Sequence, residues 1–181
     1  MNDILKAAFP LFVITLIAAF VLAFVYDITK EPIDAQRQSI KNTAMREILA
    51  RALSFEPLEI PLQSADKITS LYAGLNEGES VGYIIGLSER GYSGLIDMLV
   101  AVDTSGIISG VKIINQTETP GLGARVVEAE FTDQFTGKSD FLADNDIHAI
   151  TAATITSVAV TGGVNYALEF FNQNLAGGED G

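Results

Sequence analysis

Residues 95–115, LIDMLVAVDTSGIISGVKIIN, decide the fold class. Two runs of strand composition, 95–102 and 107–115, flank Asp103, Thr104, Ser105 and Gly106, a turn composition, so the segment reads as an antiparallel hairpin. In the second run Ile107, Ser109, Val111 and Ile113 alternate against Ile108, Gly110, Lys112 and Ile114. That is the period of side chains on opposite faces of a sheet. Upstream, residues 81–87 have the same strand composition. Downstream, Val160, Val164, Ala167, Leu168, Phe171 and Leu175 recur at helical spacing and fall on one face. With no internal repeat, these parts describe an α+β domain with antiparallel strands and flanking helices.

The N-terminal end is of another kind. No charged residue lies between Lys6 and Asp27, and only Pro10 and Thr15 interrupt the apolar run at 7–26. At about 1.5 Å per residue the run is about 30 Å long, the thickness of a bilayer's hydrocarbon core. It reads as a single transmembrane helix in contact with lipid. A cleaved signal peptide is the competing reading; it asks for a basic start, a shorter apolar core and a small-residue cleavage site, whereas Lys6 is the one basic residue here. Lys30, Arg37, Lys41 and Arg46 follow the run, but charge counting weakens beside a long domain, so the residues leave the orientation open.

Four regions result: an anchor at 1–26, an amphipathic helix and connection at 27–63, the α+β domain at 64–176 and an acidic tail at 177–181. In the second region Ile40, Ala44, Met45, Ile48 and Leu49 are spaced for a helix over 34–53, and Pro57 and Pro61 predict an extended connection over 55–63.

Composition excludes several chemistries. The chain of 181 residues has no cysteine and one histidine, His148. Thiolate zinc sites, iron–sulfur clusters, disulfides and cysteine nucleophiles therefore cannot be built from it, and a histidine-rich metal site is excluded as well. Eleven basic against 23 acidic residues give a net charge of −12, which repels nucleic acid. Asp3 and Lys6 cancel within the first 26 residues, so that charge belongs to the remainder.

Two loops are not explained by core or strand. The first holds Glu118, Thr119, Pro120, Gly121, Leu122 and Gly123, where glycines let backbone approach something flat or bulky without obstruction by Cβ. As a dinucleotide fingerprint it lacks the third glycine, and a plain turn is the bland alternative. The second, just before the last helix, holds Thr151, Ala152, Ala153, Thr154, Ile155, Thr156 and Ser157. By themselves its hydroxyls read first as helix caps; free amides and the positive end of the helix dipole also suit a phosphate there.

At these residues the chain resembles the flavin-carrying G subunits of Rnf-type ion-pumping respiratory complexes and, more distantly, the C subunits of sodium-pumping NADH:quinone reductases. Residues 118–123 are similar to the family's ETPGLG segment, and 151–154 to its Ser/Thr-Gly-Ala-Thr motif. Gly91-Tyr92-Ser93-Gly94, 103–106 and 131–137 resemble further family features in the same order. The likeness runs from the anchor to the last helix. It implies one transmembrane helix, an FMN-binding domain outside the cytoplasmic (inner) membrane, and covalent FMN joined by its phosphate to Thr154, Thr156 being the less favoured acceptor. Thr151, Ala152, Ala153 and residues 118–123 would complete the cofactor site. Two positions depart from the pattern and bear on flavin attachment: Ala152 stands where glycine is usual, and His148 where aspartate is common.

The implied role is electron relay within a complex that moves electrons between reduced ferredoxin and NAD and couples this to Na⁺ or H⁺ transport. Other membrane subunits would be its partners, a flavin transferase would mature it, and it would have no independent turnover, no catalytic side chain and no metal. Glu118 could face the flavin and influence its potential, or pair structurally. Attachment of the flavin ring to His148 is the lesser option. Two rival functions are an anchored module of this fold that scaffolds without flavin, and a membrane-bound hydrolase. The hydrolase would need Gly91-Tyr92-Ser93-Gly94-Leu95, which fails the G-x-S-x-G pattern at its last position.

Overall fold

A computed structural model describes residues 2–59, 67–143 and 146–176. The acidic tail and positions 60–63 of the expected connection lie outside them. Contacts divide the chain into two compact units, Met1–Ile40 and Lys41–Gly181.

The first unit is helical throughout its described length, as part of helix α1 (Asn2–Ile48). The helix is long and apolar enough to cross a membrane, and none of its apolar stretch is buried in protein. The sequence pattern predicts an anchor at 1–26 and a separate helix over 34–53, yet α1 is one helix that runs through Pro10 and Pro32 unbroken and ends at Ile48. Proline's fixed φ is compatible with a helix; what it loses is one backbone donor and some clearance from the preceding turn.

The second unit is built on a five-stranded antiparallel meander in the order β1 (Ser54–Pro57), β2 (Ile68–Asn76), β3 (Glu79–Arg90), β4 (Leu95–Asp103) and β5 (Ile108–Gln116). The expected hairpin is β4–β5. Asp103 Oδ1 closes its turn by accepting from the amides of Ser105 and Ile107, both at 2.9 Å. Alternation sends Ile96, Met98, Val100 and Val102 to one face, and Leu99 and Ala101 to the other. In β5 the simple alternation is broken by two register shifts, one between Asp97 and Met98 and one between Ala101 and Val102. The second puts Ile108 in the same cluster as Val111 and Ile113, because a bulge displaces side chains by one position.

The face bearing Met98 and Val100 is covered by helix α3 (Thr154–Asn174), whose Val160, Val164, Ala167, Leu168 and Phe171 are all buried as the helical spacing predicts. The short helix α2 (Ala129–Thr132) and the turns beside it add Phe131 and Phe135 to that core. The opposite face receives Ala44, Met45, Ile48, Leu49 and Ala52 from the end of α1 and the residues after it. Strand β1, expected as a connection, pairs with β2 at the sheet edge, a place where Pro57 removes no inner-ladder donor.

Candidate functional site

The two singled-out loops meet. A cleft of about 440 Å³ is lined by Glu118, Thr119, Leu122 and Gly123 on one side and Ala152, Ala153, Thr154, Ile155 and Thr156 on the other. Its size lies in the range of small-molecule sites, roughly 300–1,000 Å³. Tyr92, 72% exposed, completes the rim. Pro120, Gly121 and Thr151 do not line this cleft. Thr151 lines a smaller one instead, with Arg125, Glu128, Gln134 and His148.

Helix α3 starts at Thr154, so Thr154, Ile155, Thr156 and Ser157 form its first turn and not a loop before it. Threonine and serine are tolerated inside the helix because their hydroxyls bond back to it: Ser157 Oγ donates to the Ala153 carbonyl and Thr161 Oγ1 to the Ser157 carbonyl, both at 3.0 Å. The capping expectation is not met. The N-cap position is Ala153, which has no side-chain acceptor to offer. First-turn amides lack intrahelical partners by geometry, so this helix presents an uncapped N-terminus to the cleft.

The three threonine hydroxyls of this segment differ sharply. Thr156 is 1% exposed, and its Oγ1 donates to Glu118 Oε2 at 2.7 Å. Thr151 is exposed but turned to the other cleft. Thr154 is exposed on the main cleft and its side chain has no hydrogen-bond partner among the described residues. Ala152 has φ 63°, the left-handed region that favours glycine.

Glu118 is 5% exposed and is the hub of the site. Besides Thr156, its carboxylate accepts from the amides of Ser93 at 2.9 Å and Gly94 at 3.3 Å. Burial works against the charged form, but the Thr156 hydroxyl and the amides of Ser93, Gly94 and Tyr92 together outweigh it and hold the carboxyl below its ordinary range. The carboxylate also explains two glycines. A Cβ on Gly91 would lie 2.5 Å from Glu118 Oε1; one on Gly123 would lie 2.7 Å from Oε2 and 2.8 Å from Thr156 Oγ1. Gly123, read from sequence as clearance for a ligand, is therefore clearance for Glu118.

Tyr92 and Ile155 were not among the expected site residues. In the sequence Gly91-Tyr92-Ser93-Gly94 reads as a family feature and not as part of the site; Ile155 stands in the threonine loop with no role of its own. His148 is exposed, and its backbone pairs with the Gln134 side chain, the amide donating at 2.7 Å and the carbonyl accepting at 3.3 Å. It lines the smaller cleft and not the one holding Thr154. No cluster of metal-ligating side chains occurs among the described residues.

An exposed hydroxyl at an uncapped helix N-terminus, beside apolar rim residues and a cleft of cofactor size, fits a phosphate-bearing aromatic cofactor. In agreement, residues 91–169 match the family model of the FMN-binding domain, and residues 1–48 match that of the RnfG N-terminal region. The chain belongs to the family of G subunits of ion-translocating ferredoxin:NAD(+) oxidoreductase complexes. It is 34% identical to the G subunit of the Na(+)-translocating ferredoxin:NAD(+) oxidoreductase complex of Acetobacterium woodii, covering 96% of this chain and 93% of that one. It is 33% identical to the G subunit of the proton-translocating ferredoxin:NAD(+) oxidoreductase complex of Clostridium ljungdahlii, covering 93% and 91%. Among solved structures it is similar to NqrC of Shewanella oneidensis, with 22% identity and a TM-score of 0.48 over 68% of this chain and 71% of that one.

Proposed function

We propose that this chain is the membrane-anchored electron-relay subunit of a ferredoxin:NAD oxidoreductase complex, carrying FMN joined through its phosphate to Thr154. The observation that carries the reading is the contrast between Thr154, exposed and unpartnered on the cleft, and Thr156, buried and bonded to Glu118. Bound FMN would supply the redox chemistry. The protein's part is placement. Uncapped amides and the dipole of α3 favour the phosphate's negative charge beside the Thr154 hydroxyl. Leu122, Tyr92 and Ile155, 41%, 72% and 58% exposed, offer apolar surface to a flat ring at the rim. A covalent bond through oxygen suits a chain without cysteine and keeps the cofactor from loss to the aqueous side.

The remaining parts of the reading concern the assembly. Residues 7–26 span the bilayer in contact with lipid, and the flavin domain lies on the extracytoplasmic side of the inner membrane. A flavin transferase matures the chain, and the other membrane subunits supply and take electrons, so it has no turnover alone. Between Lys6 and Asp27 the span carries none of the ionisable side chains that mark ion pathways inside a bilayer.

The test is made in the assembled complex. Thr154→Ala should leave the subunit in the membrane complex while ferredoxin-dependent NAD reduction falls to background. Full activity in that variant would instead favour a scaffold without flavin.

A further inference from the structure

We propose that Glu118 is the positioning residue of the flavin site: one buried carboxylate ties together the three segments that wall the cleft and fixes a negative charge on that wall, holding down the reduction potential of FMN bound there. The proposal rests on the reading of this cleft as an FMN site.

The tie is specific. Glu118 reaches the turn at 91–94 through the Ser93 and Gly94 amides, reaches α3 through Thr156, and itself opens the loop at 118–123. Both Gly91 and Gly123 are packed so closely on its oxygens that a methyl group would intrude. Its charge is not cancelled. No lysine or arginine lines the cleft, and no cation pairs with Glu118 among the described residues, whereas Glu128 in the neighbouring cleft is paired with Arg125 at 3.0 Å. Reduction adds negative charge to a flavin, and a fixed anion on a partly desolvated wall opposes it more strongly than one in water.

The experiment is a redox titration of the full chain, produced with a flavin transferase, purified in detergent and verified by mass to carry the flavin. Glu118→Gln should keep the adduct and shift the midpoint potential upward. Glu118→Asp, which keeps the charge, should stay near wild type. Thr156→Val removes one tie but not the charge, and Glu128→Gln makes the same charge change in the other cleft; both should also stay near wild type. Thr119→Lys places a positive charge on the same wall without touching the tie and should raise the potential, an arm that does not depend on Glu118→Gln folding. An unchanged potential in folded Glu118→Gln, no rise in Thr119→Lys, or an equal rise in Thr156→Val would overturn the proposal. A wild-type chain without flavin would defeat the underlying reading instead.

Discussion

Ala152 shows what one methyl group does at the mouth of the site. A non-glycine residue in the left-handed region costs about 1–2 kcal/mol, and glycine removes that cost while adding about 0.4–1 kcal/mol of unfolded-state entropy. Ala152→Gly should therefore stabilise the full chain by about 0.5–1 kcal/mol, read as a higher denaturation midpoint in detergent. The sequence shows that Ala152 departs from the family's glycine; that its cost is conformational is not revealed by composition. Glu118 carries a pH signature. Its carboxyl is held below the ordinary value near 4.5, so its contribution to stability is complete above that value and is lost as pH falls through the folded one. Denaturation at stepped pH should show a gap between wild type and Glu118→Gln that is constant near neutrality and closes below about pH 4.5. Glu118, Thr154 and Leu122 could be read as site residues because their pattern is local. That Thr156 faces inward, and that Gly91 serves Glu118, depends on contacts across 25 to 38 positions of chain, beyond the reach of local spacing.

Among the elements, α3 and the β4–β5 hairpin were legible because burial on one face imposes a period on the sequence. The edge was less so. Strand β1 has four residues, of which one is only half-buried and the rest exposed, so no alternation marks it. Strand β2 carries small residues at Ser70, Ala73 and Gly74, where it packs closely on its surroundings: a Cβ on Gly74 would meet Leu49 and Ala52. Its turn into β3 uses Glu77 and Gly78, both at positive φ, without the Asn-Gly or Asp-Gly pair that usually announces such a hairpin. The second sheet face depends on residues after Lys41 more than the helical pattern alone suggests. Leu49 is 2% exposed against that face, and Leu49→Ala should destabilise the domain by about 2–4 kcal/mol, measured by chemical denaturation of the full chain. The effect should be a loss of stability with the flavin still on Thr154, since Leu49 lies on the face away from α3.

For the whole molecule, the uneven spread of apolar residues separates an anchor from an acidic domain, and the absence of cysteine provides an experimental handle. Thr104→Cys places a single thiol on an exposed turn of the domain in an otherwise cysteine-free chain. A membrane-impermeant thiol reagent should label it in cells with an opened outer envelope and an intact inner membrane; labelling only after inner-membrane lysis would put the domain in the cytoplasm. The most direct measurement concerns the flavin itself. The full chain, produced with a flavin transferase, should when denatured gain the mass of one FMN less one water, with the adduct mapped to the peptide position of Thr154, lost in Thr154→Ala and kept in Thr156→Ala. An unmodified, colourless chain under those conditions, or an adduct on Thr156, would contradict the account.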